Sequence, residues 1–228
     1  MRSLLFASLL ASACAAPGAA PLLKSPGDPR GIDSHVSRNL DRFIATMDDP
    51  KRAAWQKPDE VVLALRLSPG QAVADIGAGT GYFTFRLARA VGPRGKVLSV
   101  DVEARLVELL RQRAAEAGAR QVEAITTGPD DPGLPAGAVD LVFLCNTYHH
   151  IGDRVAWLRK LRPALRPGGR VVNIDFFKRP LPVGPPVERK RSRREVKDEF
   201  ARAGYRFLEE VRLLPYQYFL VFAPGEGR

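Results

Sequence analysis

The 228-residue sequence has only two cysteines, Cys14 and Cys145, and it has no long apolar segment. Two cysteines exclude both a disulfide-stabilised scaffold and a zinc site built from cysteine. No apolar run reaches the roughly 18–20 residues of a bilayer-spanning helix, which excludes an integral helical membrane protein. There are three histidines, and the adjacent pair His149 and His150 does not form a metal site, because neighbouring side chains diverge. We therefore expect no metal.

The composition is that of a folded protein, with 45% hydrophobic and 26% charged residues, which excludes wholesale disorder. The formal net charge of +10 is unevenly distributed along the chain. Residues 14–150 carry sixteen basic and sixteen acidic side chains, whereas residues 178–206 carry ten basic and four acidic ones. The excess positive charge therefore belongs to one side of the molecule, where an anionic acceptor or a membrane would be met.

The first 13 residues have the composition of a secretory signal peptide, with one arginine followed by an apolar stretch and small residues. Residues 10–14 also resemble a bacterial lipobox, in which Cys14 would become the lipidated first residue. Simple cleavage after a small residue and a wrongly assigned start codon are the alternatives. Residues 14–34 are predicted to form a flexible tether. We expect export to the cell envelope, periplasmic or lipid-anchored, or a cytoplasmic location if residues 1–13 are not a signal.

The remaining chain divides into a predicted helical cap over residues 35–70 and an α/β domain over residues 71–223. Strand and helix patterns alternate in the domain, and its strands are continuous apolar runs, which is typical of a parallel sheet covered by helices on both faces. Residues 207–214 and 216–222 are predicted to form an antiparallel hairpin joined only by Pro215. The predicted strands are residues 71–76, 96–100, 122–125, 139–145 and 170–176, followed by the two strands of the hairpin.

A glycine-rich loop, Asp75-Ile76-Gly77-Ala78-Gly79-Thr80-Gly81, lies where the first predicted strand turns into a helix. Its glycines allow the backbone to turn sharply and to approach a ligand without a Cβ in the way. Asp75 lies inside the end of the strand, where a carboxylate is costly unless it has hydrogen-bond partners. Asp101 ends the next strand, where a carboxylate can accept both hydroxyls of a ribose.

These motifs resemble the class I S-adenosylmethionine-dependent methyltransferases over roughly residues 55–223. Residues 75–81 match the D-x-G-x-G-T-G motif of that family, whereas the G-x-G-x-x-G spacing of dinucleotide-binding proteins is absent. Residues 128–135 resemble the G-D-x-x-x-L-P loop that contacts adenine, with an inserted Pro129. Residues 140–143 and 165–169 match the later D-x-V and L-x-P-G-G elements.

The resemblance implies a Rossmann-like, seven-stranded, mostly parallel sheet with an antiparallel C-terminal hairpin, and S-adenosyl-L-methionine as the cofactor. It also implies that the methionine carboxylate and amine lie near Gly77–Gly81, with backbone amides for the carboxylate and Asp75 for the ammonium. Whether Asp130 or Asp131 serves the adenine loop stays open. The cofactor-binding residues predicted in this way are Asp75, Gly77, Ala78, Gly79, Thr80, Gly81, Asp101, Val102, Asp130, Asp131 and Asn146.

The segment after the fourth predicted strand is expected at the methyl end of the cofactor. His149 is a candidate base or orienting group when the nucleophile must lose a proton, and Tyr148 is a candidate wall. The alternative is that His149 and His150 pack against the following helix and form local hydrogen bonds. Trp55 is either an aromatic lid or a packing residue.

The predicted function is methyl transfer by in-line displacement to an unidentified acceptor that is a small or lipid-like molecule. The basic tract, residues 189–194, either binds an anionic substrate, contacts a lipid surface together with a lipid on Cys14, or is a solvated face. Nucleic acid does not fit export, and a monomer is expected. The alternative functions are a non-catalytic cofactor-binding sensor or interaction module of the envelope, and an NAD-type dehydrogenase, which the glycine spacing disfavours.

Overall fold

The computed structural model describes residues 39–225, so the predicted signal peptide, Cys14 and the tether to residue 34 lie outside the described residues. Within residues 39–225 the strands form one seven-stranded sheet in the order β3-β2-β1-β4-β5-β7-β6. The strands β1 to β5 are parallel, and β7 is antiparallel to both β5 and β6. The predicted Rossmann-like sheet with an antiparallel C-terminal hairpin is confirmed. The strands are β1 (Ala72–Ile76), β2 (Lys96–Asp101), β3 (Val122–Thr126), β4 (Val139–Cys145), β5 (Leu165–Phe176), β6 (Tyr205–Glu210) and β7 (Gln217–Pro224).

Helices cover both faces of this sheet, as its buried strands require. On one face the core continues from the strands to Leu87 of the first domain helix, and on the other to Trp157 and Phe200. The helices are α1 (Leu40–Met47), α2 (Ala53–Gln56), α3 (Pro58–Ala64), α4 (Thr84–Val91), α5 (Ala104–Glu116), α6 (Arg154–Leu161) and α7 (Arg193–Arg202). No helix among the described residues is long and apolar enough to cross a membrane.

The position of the site follows from the order of the strands. From β1 the chain adds β2 and β3 on one side, and β4 and β5 on the other. The order therefore reverses between β1 and β4, and ligands of open α/β sheets bind in the crevice outside the carboxyl ends of the strands at such a point. The glycine loop after β1 and the histidine pair after β4 both lie at this crevice.

The helical cap is attached to the glycine loop through Asp48, which follows α1. One carboxylate oxygen of Asp48 accepts the Thr80 hydroxyl at 2.6 Å, and the other accepts the Arg113 guanidinium at 2.8 Å. Arg113 also donates to the main-chain oxygen of Thr80 at 2.8 Å. These contacts hold the end of α1 against the loop.

The predicted connection of the C-terminal hairpin is wrong. Strand β6 ends at Glu210 and β7 begins only at Gln217, so residues 211–216 form a loop rather than a turn at Pro215 alone. Leu214 is buried in the core, and the chain departs from the hydrogen-bonded pairing of β6 with β7 where this side chain packs inward. The next residue, Pro215, has no N–H to donate to a neighbouring strand. This loop lies at the carboxyl edge of the sheet, because Gln217 pairs with Phe176 at the end of β5.

The predicted start of the last helix is confirmed by its capping box. The Ser192 hydroxyl accepts from the Glu195 N–H at 3.2 Å, and the Glu195 carboxylate accepts from the Ser192 N–H at 2.7 Å. These two bonds satisfy two of the N–H groups that a helix start leaves without partners. The Glu195 carboxylate also accepts from Lys178 Nζ at 3.2 Å, which connects the start of this helix to the segment that follows β5.

Candidate active site

The glycines of the loop after β1 have different tasks. Gly77 has a φ of +70°, and a Cβ there would lie 2.3 Å from the Thr147 hydroxyl oxygen, so this glycine permits the close approach of two chain segments. Gly79 has a φ of +57°, and no heavy atom lies within 4 Å of where its Cβ would be. Gly79 therefore leaves a free space beside the loop, which is where a ligand can approach the backbone.

Asp101 lies at the end of β2, beside this space, as the sequence predicts. Its carboxylate accepts the Gly79 N–H at 2.8 Å and the Glu103 N–H at 3.0 Å. Burial raises the pKa of Asp101, while these backbone hydrogen bonds lower it. A carboxylate has about four acceptor sites, so each oxygen keeps room for a ligand hydroxyl. The neighbouring Val102 is 40% exposed and offers an apolar surface for a flat ring.

Asp75 lies at the end of β1 and is buried. Its carboxylate accepts the Thr84 hydroxyl at 2.7 Å, and Ser99 donates in turn to the Thr84 oxygen at 3.2 Å. Burial raises the pKa of Asp75 to about 7, although the hydrogen bond from Thr84 acts in the opposite direction. A ligand ammonium near this carboxylate would favour its charged form.

Most main-chain amides between Gly77 and Gly81 donate to other groups of the protein. The N–H groups of Gly77 and Ala78 donate to the Val100 oxygen, and the N–H of Gly81 donates to the Ala78 oxygen. The N–H of Gly79 is held by Asp101, as described above. The Thr80 hydroxyl is held by Asp48. Four of these five amides and this hydroxyl thus hold the loop in shape, and the binding of a ligand carboxylate by amides at the start of the following helix stays a prediction.

Arg52 of the cap is the cation at this position, and the sequence reasoning missed it. Its guanidinium stacks over the Tyr82 ring at 4.0 Å and donates to the Met47 oxygen at 3.1 Å. Within residues 39–225 it forms no ion pair with a carboxylate, and burial lowers its pKa while the charge of Asp75 acts in the opposite direction. A half-buried cation of this kind is suited to a ligand carboxylate.

Asp130 and Asp131 lie exposed in the loop between β3 and β4. The Asp131 carboxylate accepts the Gly133 N–H at 2.9 Å, and its main-chain oxygen accepts the Thr127 hydroxyl at 2.9 Å. The loop is thus ordered by its own residues. A contact of either acid with adenine stays a prediction.

Asn146, just after β4, belongs to a closed network of three side-chain amides. Its Nδ2 donates to Gln56 at 3.1 Å, Gln56 Nε2 donates to Gln217 at 2.8 Å, and Gln217 Nε2 donates back to Asn146. Asn146 has a φ of +61°, a conformation that asparagine tolerates better than most residues. Gln56 and Gln217 are buried and were not predicted, and through them the cap and β7 contact the segment at the end of β4.

His149 forms a dyad with Asp175 of β5. The imidazole Nδ1 lies 2.9 Å from both carboxylate oxygens of Asp175, and the His149 main-chain N–H donates to Asp175 at 3.2 Å. Both side chains are at least 96% buried. The same carboxylate accepts the Phe176 N–H at 2.8 Å. This arrangement fixes the imidazole and directs its Nε2 away from the carboxylate.

Tyr148 does not line the site, which corrects its predicted role as a wall. Its ring is fully buried and packs on Phe200, and its hydroxyl donates to Glu199 at 2.8 Å. The short 3-10 turn Tyr148–His150 directs Tyr148 into the core. Trp55 is half-buried with its ring 5.8 Å from Phe176, so it packs the cap against the end of β5. No cluster of three metal-ligating side chains occurs among the described residues.

The fold and the loop are similar to those of class I methyltransferase domains, and the donor set fits the cofactor of that class, S-adenosyl-L-methionine. The cofactor carries ribose hydroxyls, an ammonium and a carboxylate. Asp101, Asp75 and Arg52 offer a partner for each of these in turn, and Gly79 leaves the loop open beside them.

Comparisons with known proteins agree. The family described as "Methyltransferase domain" matches residues 74–171. The chain is 30% identical to a ubiquinone/menaquinone biosynthesis C-methyltransferase, UbiE, of Hahella chejuensis, over 50% of this chain and 46% of that protein. It is 29% identical to a demethylmenaquinone methyltransferase of Lactococcus lactis, over 67% of this chain and 60% of that protein. It therefore spans less than two thirds of either relative.

Among solved structures, the chain is similar to a SAM-dependent methyltransferase from Aquifex aeolicus. The TM-score is 0.76 at 28% identity, over 79% of this chain and 96% of that one. The matched family model covers the residues that carry the glycine loop and Asp101, and the similar structure covers most of this chain.

Proposed function

We propose that this protein transfers the methyl group of S-adenosyl-L-methionine to an acceptor that carries an ionisable hydroxyl. The observation that carries this proposal is the His149–Asp175 dyad at the carboxyl ends of β4 and β5. When bound, the cofactor supplies an electrophilic methyl on a sulfonium. The protein has to hold the acceptor in line with that methyl and keep water out.

Three side chains hold the cofactor in this proposal. Asp101 accepts the ribose hydroxyls, Asp75 pairs with the ammonium, and Arg52 pairs with the carboxylate. Asn146 of the amide network precedes His149 by one short turn. The network of Gln56, Asn146 and Gln217 is therefore adjacent in the chain to the dyad. It positions the cap over the methyl end.

The dyad suits His149 for a role as general base. The carboxylate of Asp175 accepts a hydrogen bond from Nδ1–H and holds the ring in the tautomer whose Nε2 lone pair is free for a proton. Nε2 would take the acceptor's hydroxyl proton as the acceptor atom attacks the methyl. Such a base is needed for an alcohol or phenol, and for a ring carbon that becomes nucleophilic when a ring hydroxyl ionises.

The relatives favour a hydroxylated aromatic ring as the acceptor. One is named as a C-methyltransferase of ubiquinone/menaquinone biosynthesis, and another as a demethylmenaquinone methyltransferase. A reduced quinone ring carries hydroxyl groups, and removal of a proton from one of them makes the ring oxygen and the adjacent ring carbons nucleophilic. This is the chemistry that the dyad can support.

The proposal is tested by incubating the full chain anaerobically with methyl-labelled cofactor and either 1,4-naphthohydroquinone or its dimethyl ether. We expect label in the hydroquinone and none in the ether, because only the first has a hydroxyl proton to lose. His149→Gln should lower kcat by about 10²–10⁴-fold with unchanged cofactor affinity. Asp175→Asn should act in the same direction, and Arg94→Gln is the control, because Arg94 is exposed in the turn before β2, at the opposite edge of the sheet. Equal kcat in His149→Gln and the wild type would refute the role of the dyad.

A further inference from the structure

A cavity of about 370 Å³ opens at the carboxyl edge of the sheet, between the cap and the β6–β7 loop. Its volume is within the range of small-molecule sites. The residues that matter here are Lys57, Phe177, Arg193, Arg212, Gln217 and Tyr218.

The inner wall of the cavity is continuous with the proposed methyl-transfer site. Gln217 contributes to the cavity and also donates to Asn146 in the amide network. Tyr218, the next residue of the wall, is paired with Asp175 of the dyad on the adjacent strand. Gln217 and Tyr218 thus connect the cavity to the amide network and to the strand that carries Asp175.

The cavity has a positive lining. Arg193 is neutralised by Glu210 at 2.7 Å. Lys57 and Arg212 have no carboxylate partner within residues 39–225, although both line the cavity. Lys57 has a left-handed backbone with a φ of +44° at the junction of α2 and α3, which turns the chain at the rim. Two cations without partners on one cavity favour an anion there.

The rest of the lining suits an apolar body. The rings of Phe177 and Tyr218 contact each other edge to face at 6.1 Å, and Leu213 and Pro215 of the β6–β7 loop complete that side. Flat apolar molecules pack well against such aromatic walls. An apolar lining with a few placed charges is the usual composition of a small-molecule site.

We propose that this cavity is the acceptor site and that the acceptor is an apolar or aromatic molecule bearing an anionic group, which Lys57 and Arg212 bind. The inference rests on the proposed function, because it assigns the acceptor of the same reaction. A carboxylate, sulfonate or phosphate would satisfy the two cations equally.

The test uses two fluorescent probes that share an anilinonaphthalene body. The first, 1-anilinonaphthalene-8-sulfonate, carries an anion, and the second, N-phenyl-1-naphthylamine, is neutral. Both are titrated into the full chain and into Lys57→Asn, Arg212→Gln and the double variant. The matched control is Arg94→Gln, because Arg94 is an exposed cation of the turn before β2, at the opposite edge of the sheet.

We expect the sulfonate probe to bind at least fivefold more weakly to each single variant, and the neutral probe to bind unchanged. Arg94→Gln should change neither. The inference is overturned if the Lys57 and Arg212 variants bind both probes more weakly, or if they bind both probes as the wild type does.

Cofactor titration of the same samples separates the two proposals. Cofactor binding with no charge-selective loss of the sulfonate probe refutes the cavity assignment and leaves the proposed function standing. Charge-selective loss without any cofactor binding refutes the proposed function and with it the acceptor role of the cavity. We expect charge-selective loss together with unchanged cofactor affinity in every variant.

Discussion

The raised pKa of Asp75 predicts that cofactor affinity depends on pH. Asp75 is buried, and its pKa of about 7 means that much of the protein without cofactor holds a neutral carboxyl near neutral pH. An ammonium bound beside it requires the ionised form. About one tenth of the carboxyl is ionised at pH 6 and about nine tenths at pH 8, so affinity should fall about tenfold from pH 8 to pH 6.

The assay is calorimetric titration at pH 6, 7 and 8, with Asp75→Asn as the control. The cofactor's own α-amino group titrates near pH 8, so the protonated fraction of the cofactor increases as the pH falls. This change in the cofactor also affects its binding to Asp75→Asn. The ratio of wild-type to Asp75→Asn affinity removes it. A ratio that is constant from pH 6 to pH 8 would refute the assignment of Asp75 to the ammonium.

The same shift has a consequence for stability. The folded pKa of Asp75 lies above its ordinary value, so the folded chain holds the proton more strongly than the unfolded chain. Its contribution to stability is complete below about pH 4 and is lost as pH rises through about 7. Asp75→Asn should therefore raise Tm relative to the wild type more at pH 8 than at pH 5, and equal differences at the two pH values would contradict this.

Three further predictions concern the loop and the last helix. Asp101→Ala should weaken cofactor binding at least about a hundredfold in equilibrium dialysis, since hydrogen bonds to a charged group contribute about 1.5–3 kcal/mol each. Gly79→Ala should lower stability by about 1–2 kcal/mol because of its backbone, and weaken cofactor binding, whereas Gly77→Ala should lower Tm much further because its Cβ meets Thr147. Equal Tm losses would contradict the different tasks of the two glycines. Ser192→Ala should lower the free energy of unfolding in urea by about 1 kcal/mol, with unchanged cofactor affinity.

The parts of the site that sequence reasoning located are those contained in a short segment. The run from Asp75 to Gly81 joins a strand to a helix. Its glycines and its acid predict a ligand-binding loop without information from any other segment. Asp101 could be found because it ends the next strand of the same unit. In both cases local spacing decides the position of the side chain in space.

The residues that were missed depend on contacts between distant parts of the chain. Gln56 and Gln217 are 161 positions apart, and neither has a distinctive local pattern. Arg52 belongs to the predicted helical cap, and only the packing of that cap shows that its guanidinium lies over the Tyr82 ring. Asp175 lies inside an apolar strand. Because burial of a carboxylate costs free energy unless it has partners, its position there could have indicated a functional site.

The structure also changes the interpretation of the positive charge in the basic tract, residues 189–194. Arg191 pairs with Glu199 at 2.6 Å and with Glu195 at 3.1 Å, and Arg193 pairs with Glu210. The positive charge counted in the basic tract itself, residues 189–194, therefore overstates its free charge, because Arg191 and Arg193 pair with acids that lie further along the chain. Contact of this tract with a lipid surface stays a prediction.

The most direct test of cofactor use is titration of S-adenosyl-L-methionine into the full chain by calorimetry at pH 8. We predict binding of one cofactor per chain with a micromolar dissociation constant, and loss of most of that affinity in Asp101→Ala. An absence of heat from a chain that melts cooperatively in the same buffer would contradict the assignment of the glycine loop, Asp75 and Asp101 to the cofactor.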